Sequence, residues 1–316
     1  MQYRRLGHSG LKVSAVSLGS WLTLGNTVDQ ATTQRLVAAA RELGINLLDT
    51  ADVYARGEGE AALGRAIAGL RREHLVLASK CHFPMSDDIN DRGLSRKHVF
   101  ESVHASLRRL GVDYLDLYQC HRLDPETPIE ETALAMTDLI RQGKVLYWGV
   151  SQWPAFAIVQ ATAFCRAHAL PPPISNQPLY NLFDRGLEAE IMPVAAQCGL
   201  GQIVFSPLAQ GALTGKYASD RTPDPSSRAG NAKVNQFIGR YLTPERLAQA
   251  QRLVELAQRH GLRPAPVALA WCLRRPEVAS VIVGATNEAQ LRDNVGAADL
   301  TLPADLVADL EQAFPA

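Results

Sequence analysis

Four side chains in this sequence could together run one proton transfer: Asp49, Tyr54, Lys80 and His121. An acid, a phenol, an amine and an imidazole brought to one place can tune a single proton-transfer group, which a purely structural rim does not need. A general acid for a carbonyl group near neutral pH should have a pKa closer to the working pH than the ~10 of free tyrosine. A lysine ammonium beside the phenol favours the phenolate and lowers that pKa, and a carboxylate paired to the lysine holds it charged and in place. Lys80 and Asp49 fit those parts, with Tyr54 as the acid. His121 could hydrogen-bond the substrate oxygen, orient the carbonyl or relay a proton, and the sequence leaves all three open. Taken singly, each of the four is more often a rim residue in an ion pair than a catalyst. The case rests on their arriving together.

What brings them together is a repeated unit. The apolar runs INLLDT, LVLASK and YLDLYQCH end in Asp49, Lys80 and His121, with Tyr54 a few residues past the first. ARELGINLLDTA, LRRLGVDYLDLYQCH, LIRQGKVLYWGVS and AAQCGLGQIVFSPLA each close an amphipathic run, pass a glycine and enter an apolar run. That reads as helix, C-cap glycine, buried strand, then a polar residue at the strand end. Further strands are expected at SAVSLG, HLVLASK, PPISNQ and ASVIVGA, and helices near Thr32–Leu43, Glu60–Ala68, Arg96–Leu110, Ile129–Arg141, Ala155–Ala169, Pro244–His260 and Glu288–Ala297. Near-continuously apolar strands alternating with helices pair in parallel through right-handed crossovers. An open sheet gathers its functional residues at one crevice, whereas in a barrel every strand end faces one mouth. Here polar ends recur along the whole chain, at Ser151, Asn176, Gln177, Ser206 and Gly284. The expected fold is therefore α/β, a (β/α)8 TIM barrel forming a single domain over residues 1–316. The Pro-, Ser- and Gly-rich segment Tyr217–Thr243, after strand 7, is too long for an ordinary connection and is expected to be a lid over the mouth.

Composition limits the alternatives. With 47% hydrophobic and 20% charged residues among 316, a large core is available. The 32 basic and 32 acidic residues cancel, so no electrostatic footprint for nucleic acid or an anionic membrane exists, and any bound anion must be met locally. The opening MQYRRLGHSG is polar, no apolar run approaches the ~18 residues of a membrane span, and the expectation is a cytoplasmic protein. Cys81, Cys120, Cys165, Cys198 and Cys272 are scattered without a C-x-x-C pair and read mostly as reduced, buried thiols.

Four further patterns each allow two readings. Asn287-Glu288-Ala289-Gln290 opens a helix after the strand ASVIVGA, where unpaired N–H groups could receive a phosphate; it is equally the signature of a capping box. Gly57-Glu58-Gly59-Glu60-Ala61-Ala62 satisfies a relaxed dinucleotide fingerprint, but it does not follow a strand directly and its glutamates would face pyrophosphate. It reads as a loop and helix start. His121, Cys120, Cys81 and His82 fall near neighbouring strand ends without the spacing of a metal site, so no metal is expected. Trp21, His82, Phe83 and Trp153 are candidates for a substrate wall beside Tyr54 and His121, and each could equally pack in the core or rim.

Beyond these readings, the chain resembles the aldo-keto reductases over nearly its full length, and within them the potassium-channel β-subunit branch and its bacterial relatives. The stretches that carry this are YRRLGHSGLKVSAVSLGSW, GINLLDTADVYARGEGEAALG, RGLSRKHVFESVHASLRRLGVDYLDLY, TPIEETALAM, VFSPLAQGALTGKY and VALAWCLRRPEVASVIVGATNEAQLRDNVGA. The resemblance implies NADPH/NADP+ bound in extended form without a Rossmann fold, a small-molecule carbonyl substrate, and Asp49, Tyr54, Lys80 and His121 as the catalytic set. It places Gly284, Thr286, Gln290 and Asn294 near an adenosine phosphate and Ser151, Asn176 and Gln177 on the carboxamide. Ser206, Leu208, Gly211, Lys216 and Arg228 would track the pyrophosphate and adenosine, with Ser20, Trp21, Asp49, Phe205 and Pro207 completing the cofactor contacts. The channel branch usually carries asparagine where this chain has His121, arginine at Gln152 and tryptophan at Phe205. His121 therefore favours turnover over a purely regulatory, redox-sensing role, and the absence of an extended segment before Tyr3 speaks against channel gating. A homo-oligomer is compatible with the resemblance.

Overall fold

A computed structural model describes residues 1–218, 222–225 and 227–316. The chain opens with an antiparallel hairpin, β1 (Tyr3–Arg5) and β2 (Lys12–Ser14). Eight parallel strands follow: β3 (Val16–Gly19), β4 (Leu47–Asp49), β5 (Val76–Cys81), β6 (Leu115–Cys120), β7 (Val145–Val150), β8 (Ser175–Asn176), β9 (Gly201–Val204) and β10 (Val278–Val283). Pairing runs in that order and β10 returns to β3, so the sheet closes into the expected (β/α)8 barrel. The outer layer comprises α1 (Gln30–Glu42), α2 (Glu58–Ile67), α3 (Arg96–Leu110), α4 (Ile129–Arg141), α5 (Ala155–Ala167), α6 (Ile191–Cys198), α7 (Pro244–Arg259), α8 (Pro264–Leu273), α9 (Glu288–Val295) and α10 (Ala304–Ala313). Among the described residues no helix is long and apolar enough to cross a membrane.

Local chemistry sets these boundaries. Gly44, Gly111, Gly143 and Gly199, the glycines of the repeated unit, have φ of 83°, 67°, 67° and 93°. Each takes the left-handed turn that stops a helix and re-aims the chain into a strand, a conformation costly for other residues. Asp29, Ser95 and Thr243 accept from the backbone N–H three residues on and start α1, α3 and α7.

Side-chain alternation along the strands divides the barrel into a floor and a mouth. Leu47, Val76, Ala78, Leu117, Ile203 and Ile282 point inward and pack with Leu6 and Val13 of the hairpin, which plugs the N-terminal end of the lumen. Arg4 Nη1 donates to Leu273 O and Val278 O at 2.8 Å each and fastens the hairpin to the barrel wall. The opposite faces of the same strands join the larger core under the helices. On β4, β5 and β6 the next inward positions are polar, Asp49 after Leu47, Lys80 after Ala78 and Gln119 after Leu117, so the floor supplies cohesion and the mouth is left for chemistry.

The long connection Tyr217–Thr243 contains two short 3-10 turns, Asn235–Phe237 and Gly239–Tyr241, and residues 219–221 and 226 lie outside the described residues. Its C-terminal end is tied down where Tyr241 Oη donates to Asp184 Oδ2 at 2.6 Å. Phe237 lies over the mouth, its ring 5.0 Å from that of Trp21.

Leu6 is fully buried in the floor cluster. Leu6→Ala is expected to destabilise the fold by about 2–5 kcal/mol in urea unfolding, through lost burial plus a residual cavity, while leaving the mouth unperturbed.

Candidate active site

Alternation also decides which residues reach the lumen. With Leu47 and Val76 facing inward, Asp49 and Lys80 follow on the same face at successive levels, and Gln119 and His121 do so after Leu117. Lys80 is fully buried and Asp49 is 3% exposed. Lys80 Nζ lies 2.7 Å from Asp49 Oδ2, donates to Thr50 O at 2.7 Å, and reaches the Tyr54 hydroxyl at 3.3 Å. Gln177 Nε2 donates to the other Asp49 oxygen at 2.8 Å, and Ser151 Oγ donates to Gln177 O at 2.8 Å. Ser20 Oγ donates to Thr50 Oγ1 at 2.8 Å. The Tyr54 and His121 rings meet edge to face at 5.7 Å. All four residues singled out by type are thus in one cluster.

The electrostatics differ from expectation at one point. Desolvation alone would lower the Lys80 ammonium, but Asp49 and then Tyr54 outweigh it and hold the group above its usual value, charged. For Tyr54 the balance goes the other way: desolvation of the phenol exceeds the pull of Lys80, so its pKa is raised rather than lowered. Tyr54 is therefore a protonated donor at neutral pH, with the ammonium in place for any phenolate that forms. Burial drives the His121 imidazole well below its usual range, helped by Lys80 and Arg122, and keeps it neutral.

The loops that carry these groups are strained. Among the described residues eight non-glycine positions have positive φ, and seven of them, Leu22, Ala55, Arg56, Gln152, Ser206, Ala209 and Gln210, lie on segments leaving the C-terminal ends of barrel strands. Such conformations cost on the order of 1 kcal/mol each and concentrate where backbone placement matters more than stability.

Around the cluster, Trp21 stands 6.4 Å from the Tyr54 ring and 6.3 Å from Phe205, and Phe83 lies 4.9 Å from His121 and 5.1 Å from His82. Trp153 is not part of this wall; it is 1% exposed and packs in the main core. Asn176 also parts company with its neighbour. Gln177 turns into the lumen, so Asn176 faces the other side of the strand, where its Nδ2 donates to Gln202 Oε1 at 3.2 Å. The wall includes two residues that the sequence did not single out: Phe237, from the long connection, and Arg122, whose guanidinium sits 5.3 Å from the Phe83 ring centre. Thr50 contributes a backbone carbonyl to Lys80, which no side-chain pattern in the sequence reveals.

A second polar region lies on the β9 and β10 side of the mouth. Gln210 Nε2 donates to Ser206 Oγ at 2.5 Å and its Oε1 accepts from Arg228. Arg228 lies against Gly284, where a Cβ would stand 3.9 Å from Nη2, and Lys216 lies over Gly211, where a Cβ would come within 3.2 Å of Nζ. In the same segment Pro207 is buried and Leu208 half-buried. At α9, Gln290 N donates to Asn287 Oδ1 at 2.9 Å, while Gln290 Oε1 accepts from Thr286 N at 3.0 Å, a capping box displaced by one residue. Asn294 is buried one turn further along that helix. Gly57 sits at the start of α2 with φ 92°, as a loop and helix start rather than a phosphate turn.

Comparison with known sequences places this geometry. The sequence model of the aldo/keto reductase family matches residues 15–314. The chain belongs to the aldo/keto reductase family. It is 42% identical over 303 residues to proteins named probable voltage-gated potassium channel subunit beta from Oryza sativa subsp. japonica and from Arabidopsis thaliana, covering 95% of this chain and 92% of each relative. It is 41% identical over 305 residues to a putative voltage-gated potassium channel subunit beta of Schizosaccharomyces pombe, covering 94% and 88%. Aldo/keto reductases are oxidoreductases that generally use NADP(H), and the mouth of this barrel suits such a cofactor. Arg228 and Lys216 are cations without a carboxylate partner among the described residues, burial holds Arg228 below its usual pKa, and both lie beside glycines that keep the approach open.

Lys80→Met leaves Asp49 buried without its counter-charge and is expected to cost about 3–5 kcal/mol of stability. Adding Asp49→Leu should recover much of that loss, a non-additivity measurable by chemical denaturation of the three variants.

Proposed function

We propose that this chain is an NADPH-dependent reductase of aldehyde or ketone carbonyls. One observation carries the reading: a protonated phenol, Tyr54, held 3.3 Å from a charged lysine that is itself locked 2.7 Å from a buried carboxylate, beside a neutral imidazole. NADPH bound along the mouth would supply hydride from nicotinamide C4. Gln177, Ser151 and Ser20 would hold its carboxamide end beside Asp49, while Arg228, Lys216, Ser206, Gly211, Thr286, Gln290 and Asn294 would take the phosphates and adenosine.

Tyr54 gives its proton to the carbonyl oxygen as negative charge develops there, and Lys80 stabilises the phenolate left behind. His121, neutral, orients the carbonyl by a hydrogen bond instead of competing as an acid. Trp21, Phe83 and Phe237 form an apolar rim that keeps water from the reacting carbon and favours a substrate with an aromatic or extended apolar group. Preorganisation of these groups supplies the acceleration.

The names of the relatives support a second reading. A channel β-subunit role would make this chain an NADP(H)-binding regulatory subunit with little turnover. His121 supports the catalytic reading instead.

Loss of NADPH absorbance on mixing with an activated aromatic aldehyde separates them. Wild type is expected to turn over and Tyr54→Phe to lose about 10²–10⁴-fold in kcat at matched cofactor occupancy. Tight NADPH binding without turnover in wild type would favour the regulatory reading.

A further inference from the structure

Behind the mouth, on the helix side of β5 and β6, lies a second cluster of ionisable groups that the proposed chemistry does not use. Asp52 and Glu60 are both fully buried. Ser102 Oγ donates to Asp52 Oδ2 at 2.8 Å and Val53 N to its Oδ1 at 2.6 Å. Ser79 Oγ donates to Glu60 Oε1 at 2.5 Å and Arg109 Nε to Oε2 at 2.6 Å. Between the two carboxylates the chain passes through Ala55, Arg56 and Gly57, three successive left-handed residues with φ of 49°, 52° and 92°. Tyr54 opens this turn.

Such a turn does not hold itself. Two residues of β5 grip it from opposite faces: Lys80 reaches Tyr54 from the lumen and Ser79 reaches Glu60 from the helix side. Arg109 closes the grip, because a Cβ on Gly57 would lie 2.7 Å from Arg109 Cδ, so the side chain that binds Glu60 also lies across the turn. Asp52 N donates to Lys80 O at 3.2 Å and completes the attachment.

We propose that Asp52, Glu60 and Arg109 are positioning residues for Tyr54, acting through the turn that carries it, and that ionisation of Asp52 loosens the grip. The proposal rests on the carbonyl-reductase reading for its kinetic consequence. Asp52 faces Glu60 on α2, Ser102 and Arg109 on α3, Cys81 on β5 and Tyr118 on β6. Burial, then the charge of Glu60, pushes its carboxyl up to about 7. Above that pH Asp52 adds a second buried negative charge beside Glu60, and the guanidinium of Arg109 is bound to Glu60 alone. The sign follows: stability from a protonated Asp52 is complete at low pH and is lost as pH rises through about 7. His121 is already neutral there, and Tyr54 and Lys80 titrate far higher, so none of the three gives an inflexion near 7, and Asp52→Asn tests whether Asp52 does.

The test combines kcat for aldehyde reduction across pH with NADPH affinity by fluorescence and with thermal stability, in wild type, Arg109→Leu, Arg109→Lys, Ser79→Ala and Asp52→Asn. Arg109→Leu is expected to lose about 10²-fold in kcat with NADPH affinity unchanged, the order of loss for a misplacement near 1 Å, and Arg109→Lys to recover most of it. Wild-type kcat should fall as pH rises through about 7, and Asp52→Asn should abolish that inflexion. Wild-type kcat in Arg109→Leu, losses that merely track the folded fraction, or an inflexion surviving in Asp52→Asn would overturn the proposal. If Arg109→Leu does not fold, Ser79→Ala is judged by the same criteria. Should wild type reduce no aldehyde, the reductase reading fails alone. Positioning is then read by ¹⁹F resonance of 3-fluorotyrosine at position 54: a step through about pH 7 that Asp52→Asn removes supports it, and a flat wild-type trace overturns it.

Discussion

The buried pair of Asp49 and Lys80 is the constraint around which the mouth is built. Two opposite charges with almost no exposure are stable only when their remaining hydrogen-bonding capacity is met. Gln177 takes the second Asp49 oxygen, and Thr50 O takes a second ammonium proton. That requirement links β4, β5 and the segment after β8 into one polar knot. Tyr54 is the remaining ligand of the ammonium, so the same pair that must be satisfied for folding also fixes where the phenol points.

The knot is affordable because cohesion comes from elsewhere. Leu47, Val76, Leu117, Ile203 and Ile282, sealed below by Leu6 and Val13, make a dry floor, and the second apolar layer lies between strands and helices. With stability placed there, the loops above can adopt left-handed backbone at Leu22, Ala55, Arg56, Gln152, Ser206, Ala209 and Gln210. A division of labour of this kind is the usual logic of (β/α)8 barrels, where strand ends carry chemistry and the floor carries the fold.

Much of this was legible in the sequence because it depends on local rules. The left-handed glycines Gly44, Gly111, Gly143 and Gly199 mark helix ends, and strand alternation brings Asp49, Lys80 and His121 to one face. The hairpin Tyr3–Ser14 was not legible, since YRR and KVS carry no strand-like apolar run. Nor was α8, whose PAPVALAWCL is apolar on every side and so lacks a helical period. In the site, the sequence predicts a lowered Tyr54 pKa and the structure gives a raised one, because a lysine nearby is visible in sequence whereas the desolvation that outweighs it is a tertiary property. The resemblance sets Asn176 beside Gln177 on the carboxamide, whereas adjacent strand residues face opposite ways and Asn176 donates to Gln202. Phe237 and Arg122 arrive through loop geometry that no spacing encodes.

A buried ion pair holds a protonated phenol at the barrel mouth. The state of that phenol is read by ¹³Cζ-tyrosine NMR of the protein, with the Tyr54 resonance assigned by its loss in Tyr54→Phe. This resonance is expected to stay at its phenol position past about pH 10, above the value of free tyrosine. A resonance that moves to the phenolate position near pH ~8 would contradict it, since the lysine would then have overcome burial and Tyr54 would rest as a base.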